Sequence, residues 1–221
     1  MSTDLLSPVW ATPGHMPADL PQRSPREWET LIGQARRTGL LARLAQHHVD
    51  RGWMADVPEG PRVHLQGALK LADRQRHEVR WEVDEMARAL VPLGRPVVLL
   101  KGAAYLMAEL PASRGRVFAD VDVMVPRAHI EAAEGALFGA GWISEERDPY
   151  NQRYYREWMH EIPPLRHVQR STVIDLHHTI APPTSRFRVD GAQLLARARP
   201  LPGHAGLFVL APEDMVLHSA T

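Results

Sequence analysis

The fold of this chain is decided by one stretch, FADVDVMV at residues 118–125. Its alternation of carboxylates and valines is typical of a β-strand, because successive side chains of a strand point to opposite faces of the sheet. Asp120 and Asp122 then share one face, and the three valines share the other. We therefore predict a strand from Val117 to Val125 that carries two acidic side chains on one side.

The spacing of these two aspartates indicates a cation site. Their Cα atoms lie roughly 6.5 to 7 Å apart in a strand, so both carboxylates can reach the same ion. Without a partner the two charges repel, and one carboxylate has to take up a proton. A divalent cation removes that conflict, and ligation by oxygen alone favours Mg²⁺ or Mn²⁺ over zinc. The alternative is an edge strand with an acidic outer face, but the apolar flanks favour the metal site.

A second signal lies before this strand. Residues 96–100 (PVVLL) form a short apolar run that predicts a strand buried on both faces, and residues 103–110 read as a helix. Lys101 and Gly102 form the turn between them. Glycine there lets a phosphate approach the backbone near a helix N-terminus, and Lys101 adds a positive charge. The alternative is that Gly102 only supplies conformational freedom to the turn.

A third signal lies after the aspartate strand, in VIDLH at residues 173–177. Alternation puts Asp175 and His177 on one face of a short strand and the apolar residues on the other. Asp175 is then the candidate third metal ligand. The alternative is an ordinary carboxylate at a strand end with His177 as a polar neighbour.

The N-terminal part of the chain reads as helical. Residues 1–24 contain several prolines and predict an extended or disordered arm. Ser24, Pro25 and Glu27 form a helix start with a capping box. A long helix is expected from residue 61 to residue 93, packed against the sheet through an apolar stripe. The stripe consists of Leu65, Leu69, Val79, Val83 and Met86, with Arg76 as its break. We therefore divide the chain into an arm (1–24), a helical segment (25–94) and a sheet-bearing core (95–221).

Bulk composition excludes several classes of protein. The 221 residues include 26 basic and 26 acidic side chains, so the net charge is zero and bulk binding of nucleic acid by charge alone is not expected. The absence of cysteine excludes disulfides and thiolate-bound zinc. No apolar run is long enough to span a membrane, and the N-terminus does not read as a signal peptide. The cytoplasm is the expected compartment.

Together the three signals resemble the nucleotidyltransferase superfamily related to DNA polymerase β. More closely, the chain is similar over about residues 25–221 to a bacterial group of uncharacterised nucleotidyltransferases. The motifs that carry this resemblance are VLLKGAA at 98–104, Arg116 before the Asp120-Val121-Asp122 triplet, Val125-Pro126, Gly141-Trp142 and Ile174-Asp175-Leu176-His177. Ala103 departs from the superfamily, which usually has serine after the glycine.

The resemblance implies an α/β (α+β) fold, in which a small mixed sheet has flanking helices and follows an N-terminal helical segment. It implies a Mg²⁺-dependent transfer of a nucleoside monophosphate from an NTP, with ATP the expected donor, to an unidentified acceptor. The catalytic and metal-binding residues are then Asp120, Asp122 and Asp175. The nucleotide would be bound by Lys101, Gly102, Arg116 and His177. The family pattern also continues into C-terminal helices beyond Thr221.

These assignments lead to specific expectations for the site and for the segment that follows it. The carboxylate oxygens of Asp120, Asp122 and Asp175 should converge within about 5 Å, the spacing that shared metal ions require. Substituting Asn for Asp122 should leave the metal-free protein at least as stable as the wild type, because it relieves repulsion between the adjacent carboxylates of Asp120 and Asp122. Tyr154 and Tyr155 suggest a strand, while His160 reads as a loop residue that could enter the site.

Two other functions remain open from the sequence. The first is a non-catalytic protein that binds a nucleotide or acts as a scaffold on the same fold. The second is an interaction protein whose long helix binds a partner and whose aspartate strand is merely acidic.

Overall fold

The computed structural model describes residues 4–7 and 23–220. These residues divide into two compact units. The first comprises the residues up to His77 together with Ser113–Val117, and the second comprises Glu78–Ala112 together with the residues from Phe118 onward. Most of the predicted arm lies outside the described residues, and the domain limits drawn from the sequence stay predictions.

The first unit is helical. It contains α1 (Pro25–Arg37), α2 (Leu41–Asp50) and the first part of α3 (Glu59–Leu90). The capping box at the start of α1 is confirmed: Glu27 N donates to Ser24 Oγ at 3.4 Å, and Ser24 N donates to the Glu27 carboxylate at 2.8 Å. Trp28, Leu31 and Leu44 are among the side chains of its core.

The long helix differs in part from its prediction. It runs from Glu59 to Leu90 and is followed by a 3-10 turn at Val91–Leu93. Val79, Val83 and Met86 pack in the core of the second unit, as expected. Leu65 and Leu69 pack in the core of the first unit, so the prediction that they contact the sheet was wrong. The apolar stripe therefore packs in two separate cores. Its break at Arg76 lies next to the boundary between the units, which falls after His77.

The second unit is built on a seven-stranded mixed sheet, which confirms the predicted α+β class. Its strands are β1 (Val97–Leu99), β2 (Val121–Met124), β3 (Trp142–Ser144), β4 (Leu165–His167), β5 (Val173–His177), β6 (Arg199–Pro200) and β7 (Leu207–Val209). Their order is β3-β4-β5-β2-β1-β7-β6. The central β2 pairs antiparallel with β1 and parallel with β5. The strands that carry the predicted chemistry are therefore adjacent.

Five helices join α3 around this sheet: α4 (Lys101–Met107), α5 (Ile130–Gly139), α6 (Pro149–Trp158), α7 (Gly191–Arg197) and α8 (Pro212–Ala220). The strand expected at Tyr154 and Tyr155 was wrong, because both residues lie in α6. Asp148 caps this helix by accepting a hydrogen bond from Tyr150 N at 2.9 Å, and a proline occupies its first turn. These start signals outweigh the strand preference of aromatic residues. No helix within the described ranges is long and apolar enough to cross a bilayer.

Apolar residues cover both faces of the central strands. Leu99, Val123 and Leu176 belong to the larger core, on one face. Val98 and Met124 belong to a smaller core on the other face. The strand β2 begins at Val121, later than the predicted residue 117, so Asp120 precedes it. Alternation places Asp122 on the face of the smaller core, where a buried carboxylate needs partners.

Candidate active site

Two of the predicted aspartates lie side by side at the centre of the sheet. Asp122 on β2 is in register with Asp175 on the parallel β5. Neighbouring strands are about 4.8 Å apart, so the two carboxylates project from adjacent positions on one face. Asp120 lies just before β2 and is exposed. Whether all three carboxylates converge on shared metal ions stays a prediction.

Asp122 is buried and has two partners. Only 3% of the residue is exposed. Its Oδ1 accepts hydrogen bonds from Lys101 Nζ at 2.6 Å and from His177 Nε2 at 3.1 Å. Burial acts to raise the pKa of Asp122, but the bonds and charges of His177 and Lys101 prevail and lower it below its usual value. The sequence alone predicts that Asn at this position leaves the metal-free protein at least as stable as the wild type. The structure favours the opposite result, because the substitution removes a charge that has two partners.

Lys101 is held against Asp122 by an unusual backbone conformation. Its φ is +42°, in the left-handed region, whereas Gly102 is a buried residue in the first turn of α4 without a positive φ. A non-glycine residue in that region costs on the order of 1 kcal/mol or more. The turn is tied to β2 because Leu100 N donates to Asp122 O at 3.0 Å. The residue with the left-handed conformation in this turn is thus Lys101, the same residue whose side chain is bound to Asp122.

Lys101 allows the ion pair and the backbone strain to be separated. Both Lys101→Met and Lys101→Gly remove the ammonium, but only glycine also relieves the left-handed φ. We expect Lys101→Met to lower the free energy of unfolding by about 2 kcal/mol, because it leaves the buried Asp122 carboxylate without its counter-charge, although the 40% exposure of the lysine side chain screens the pair. We expect Lys101→Gly to be more stable than Lys101→Met by about 1 kcal/mol, the cost of the left-handed φ. Urea unfolding of both variants measures this difference, and equal stabilities would show that the turn stores no strain.

A carboxylate that sequence analysis did not identify completes the site. Residues 159–162, between α6 and β4, run antiparallel to β5. His178 N donates to His160 O at 2.9 Å, and Ile162 N donates to Leu176 O at 3.0 Å. This pairing brings Glu161 Oε2 to 3.3 Å from His177 Nε2. Glu161 precedes two prolines and belongs to no alternating run, so the sequence offered no signal for it beyond the neighbouring His160.

Negative charge is in excess around Asp175. Burial and the nearby charges of Glu161, Asp122 and Asp120 raise the pKa of Asp175 to about 6. Its Oδ1 atom is buried and has no hydrogen-bond partner among the described residues. Oxygen ligands, excess negative charge and an unsatisfied buried acceptor are what a hard divalent cation requires. The residues present therefore fit Mg²⁺ or Mn²⁺.

His218 on α8 also faces the site. Its ring centroid lies 6.4 Å from that of His177. Burial, followed by the positive charges of Lys101 and His177, lowers the pKa of His218 to about 4. The imidazole is therefore neutral at physiological pH and adds no positive charge to the site.

Arg116, the arginine expected to bind the nucleotide, lies in the first unit. Its neighbour Arg114 forms an ion pair with Asp50 there. Arg116 lies in the same short segment, and its contact with a nucleotide stays a prediction. His177, in contrast, is fully buried beside Asp122.

Comparison with known proteins gives one match. The model of a family described as an uncharacterised nucleotidyltransferase matches residues 24–221. No curated protein and no solved structure matches the chain.

Proposed function

Because the chain belongs to this family of uncharacterised nucleotidyltransferases, we propose that it transfers a nucleoside monophosphate from an NTP to an acceptor hydroxyl in a Mg²⁺-dependent reaction. ATP is the expected donor. The observation that carries the proposal is the in-register pair of Asp122 and Asp175, with excess negative charge around Asp175. In the reaction the acceptor oxygen forms a bond to the α-phosphorus, the bond between the α-phosphorus and the bridging oxygen breaks, and pyrophosphate leaves with the electron pair.

The metal would be held by Asp122 and Asp175, with Asp120 as the exposed third ligand. When bound, Mg²⁺ would neutralise charge on the triphosphate and lower the pKa of the acceptor hydroxyl. Asp175 would accept or orient the proton of that hydroxyl. His177 would fix the position of the Asp122 carboxylate through its hydrogen bond at 3.1 Å.

Lys101 would bind the triphosphate of the donor. Its ammonium neutralises Asp122 in this structure, and its partly exposed side chain allows it to turn towards phosphate oxygens. Gly102 and Arg116 would provide further contacts, a backbone approach from the glycine and a forked guanidinium from the arginine. Binding of the donor would therefore draw the Lys101 ammonium away from Asp122 and leave that carboxylate free to bind the metal.

A non-catalytic role on the same fold is the second candidate. Ala103, buried in the first turn of α4, supplies no hydroxyl to a triphosphate. A protein that binds the nucleotide as a signal or scaffold would keep Lys101 and the aspartates but release no pyrophosphate.

A melting experiment with ATP and Mg²⁺ separates these candidates. A ligand at 100 times its dissociation constant adds about 2.7 kcal/mol to the free energy of unfolding. We expect the melting temperature to rise with ATP and Mg²⁺ together, and pyrophosphate to accumulate when cell extract supplies an acceptor. A rise without pyrophosphate favours the binding protein. No rise in melting temperature favours an interaction protein without a nucleotide site.

A further inference from the structure

A second group of potential metal ligands lies beside the aspartates. The ligand atoms of His160, Glu161 and His177 all lie within 4.8 Å of one another. Glu161 Oε2 is 3.3 Å from His177 Nε2 and 3.6 Å from His160 Nε2. The group thus consists of two imidazole nitrogens that both lie close to one carboxylate oxygen.

These distances fit a tetrahedral ion. Zinc binds histidine nitrogen and carboxylate oxygen at about 2.0 to 2.2 Å, so two ligands of a tetrahedral site lie about 3.4 Å apart. Both measured separations from Glu161 Oε2 are close to that edge length. The two ring centroids are 5.2 Å apart, which brings both imidazoles to the same carboxylate without stacking them face to face.

The ligands are held in place by the backbone and by burial. The segment that carries His160 and Glu161 is hydrogen-bonded to β5 on both sides of Glu161, and Glu161 forms an isolated bridge with His177. His177 is completely buried. The Nε2 atoms of both histidines are the ring nitrogens that face the Glu161 carboxylate. Little conformational freedom is left to lose when an ion binds.

We propose that His160, Glu161 and His177 form a second metal site, which takes a zinc-like divalent ion. Two histidines and one glutamate are a ligand set of zinc sites that keep their fourth position open, and imidazole ligands select such ions over Mg²⁺. The ligand set is separate from the oxygen-only set of Asp120, Asp122 and Asp175. His177 Nε2 also lies 3.1 Å from Asp122 Oδ1, so an ion bound at that nitrogen would replace its hydrogen bond to Asp122. This inference does not depend on nucleotidyl transfer, because it concerns an ion bound without nucleotide.

Cobalt provides a direct test. The full chain is stripped with a chelator and titrated with CoCl₂ in the absence of nucleotide, because Co²⁺ in a tetrahedral nitrogen–oxygen site absorbs visible light. We expect one Co²⁺ per chain, displaced by ZnCl₂ but not by a large excess of MgCl₂. Glu161→Gln and His160→Gln should each weaken Co²⁺ binding at least about 100-fold, because each removes a ligand, and even the loss of a residue that only supports a ligand costs about 10- to 100-fold.

Matched variants separate this site from the rest of the protein. His204→Gln removes one of twelve histidines at a partly exposed position outside the cluster and should leave Co²⁺ binding unchanged. Asp120→Asn should abolish Mg²⁺-dependent transfer but retain the Co²⁺ spectrum, so failure of the proposed function is distinguishable from failure of this site. Melting curves in chelator establish that each variant is folded. The proposal is overturned if the wild type binds no Co²⁺, or if the folded Glu161→Gln and His160→Gln variants bind it as tightly as the wild type. Two independent ligand variants keep the test decisive if one of them does not fold.

Discussion

Asp122→Asn is expected to abolish nucleotidyl transfer and to destabilise the metal-free protein. Transfer should fall at least about 1000-fold, because the substitution removes one charge from the carboxylates that would hold the metal and the triphosphate. The free energy of unfolding should fall by about 2 to 3 kcal/mol. Removing one member of a buried ion pair costs about 3 to 5 kcal/mol. The loss here is smaller because the Lys101 side chain is 40% exposed.

The stability loss has a specific cause in the structure. Asp122 Oδ1 accepts from both Lys101 Nζ and His177 Nε2 while only 3% of the residue is exposed. A neutral amide leaves the lysine ammonium without its counter-charge and can present an NH₂ group to these donors. Asp120→Asn is the matched control, since it removes the same charge at an exposed position. Its stability should change much less, although it too should lose transfer.

Chemical unfolding in chelator and pyrophosphate release in Mg²⁺ measure the two effects separately. Full transfer by Asp122→Asn would show that the metal site lies elsewhere. Stability equal to that of the wild type would show that the pairing with Lys101 contributes nothing to the fold.

Asp175→Asn is expected to have the opposite effect on stability. The pKa of Asp175 rises to about 6 in the folded protein, from an ordinary value of 3.8. The folded protein therefore binds more protons than the unfolded chain between these values, and wild-type stability falls as the pH rises from about 4 to 6. Above pH 7 the full cost is present. The asparagine variant does not bear it, so it should be more stable than the wild type at pH 8 by about 2 kcal/mol, after allowance for partial exposure.

The higher stability of Asp175→Asn relative to the wild type should disappear in acid. Below about pH 3 the wild-type carboxyl is protonated in both the folded and the unfolded state, and the two proteins should have similar stability. His218 has the reverse dependence: its pKa is lowered to about 4, so stability is lost as the pH falls from about 6.5 towards 4. That contribution is common to both proteins and cancels in the comparison.

Urea unfolding of wild type and Asp175→Asn at several pH values in chelator measures this difference. Saturating Mg²⁺ should reduce or reverse it at pH 8, because only the wild type gains the full binding energy of the ion. A variant that is less stable than the wild type at pH 8 without metal would mean that Asp175 has a stabilising partner.

Regular alternation made the centre of the site predictable. The period of a strand put Asp175 and His177 on one face, and the resemblance to nucleotidyltransferases led us to expect Asp175 in the same site as Asp122. The capping box at Ser24 was likewise predictable, because it depends on residues three positions apart. Interactions of this kind are local or periodic, and a single sequence contains them.

What the sequence did not contain was long-range pairing. Glu161 reaches the site because its segment pairs with β5, and nothing in the local pattern specifies that partner. The ion pair of Lys101 with Asp122 joins residues 21 positions apart, so the sequence did not reveal it, and the structure changes the sign of the stability effect expected for Asp122→Asn. Similarly, the stripe on α3 is continuous in sequence but belongs to two cores. Each error arose where tertiary contact decided the outcome.

The most direct test of the account compares two labelled donors. The wild-type protein is incubated with Mg²⁺, cell extract and ATP that carries the label on either the α- or the γ-phosphate, with Asp122→Asn as the control. Nucleotidyl transfer at these aspartates predicts that an acceptor gains label from α-labelled ATP alone, that γ-labelled ATP yields labelled pyrophosphate, and that Asp122→Asn labels nothing. An acceptor labelled only from the γ-phosphate, or equal labelling by Asp122→Asn, would contradict nucleotidyl transfer at these aspartates.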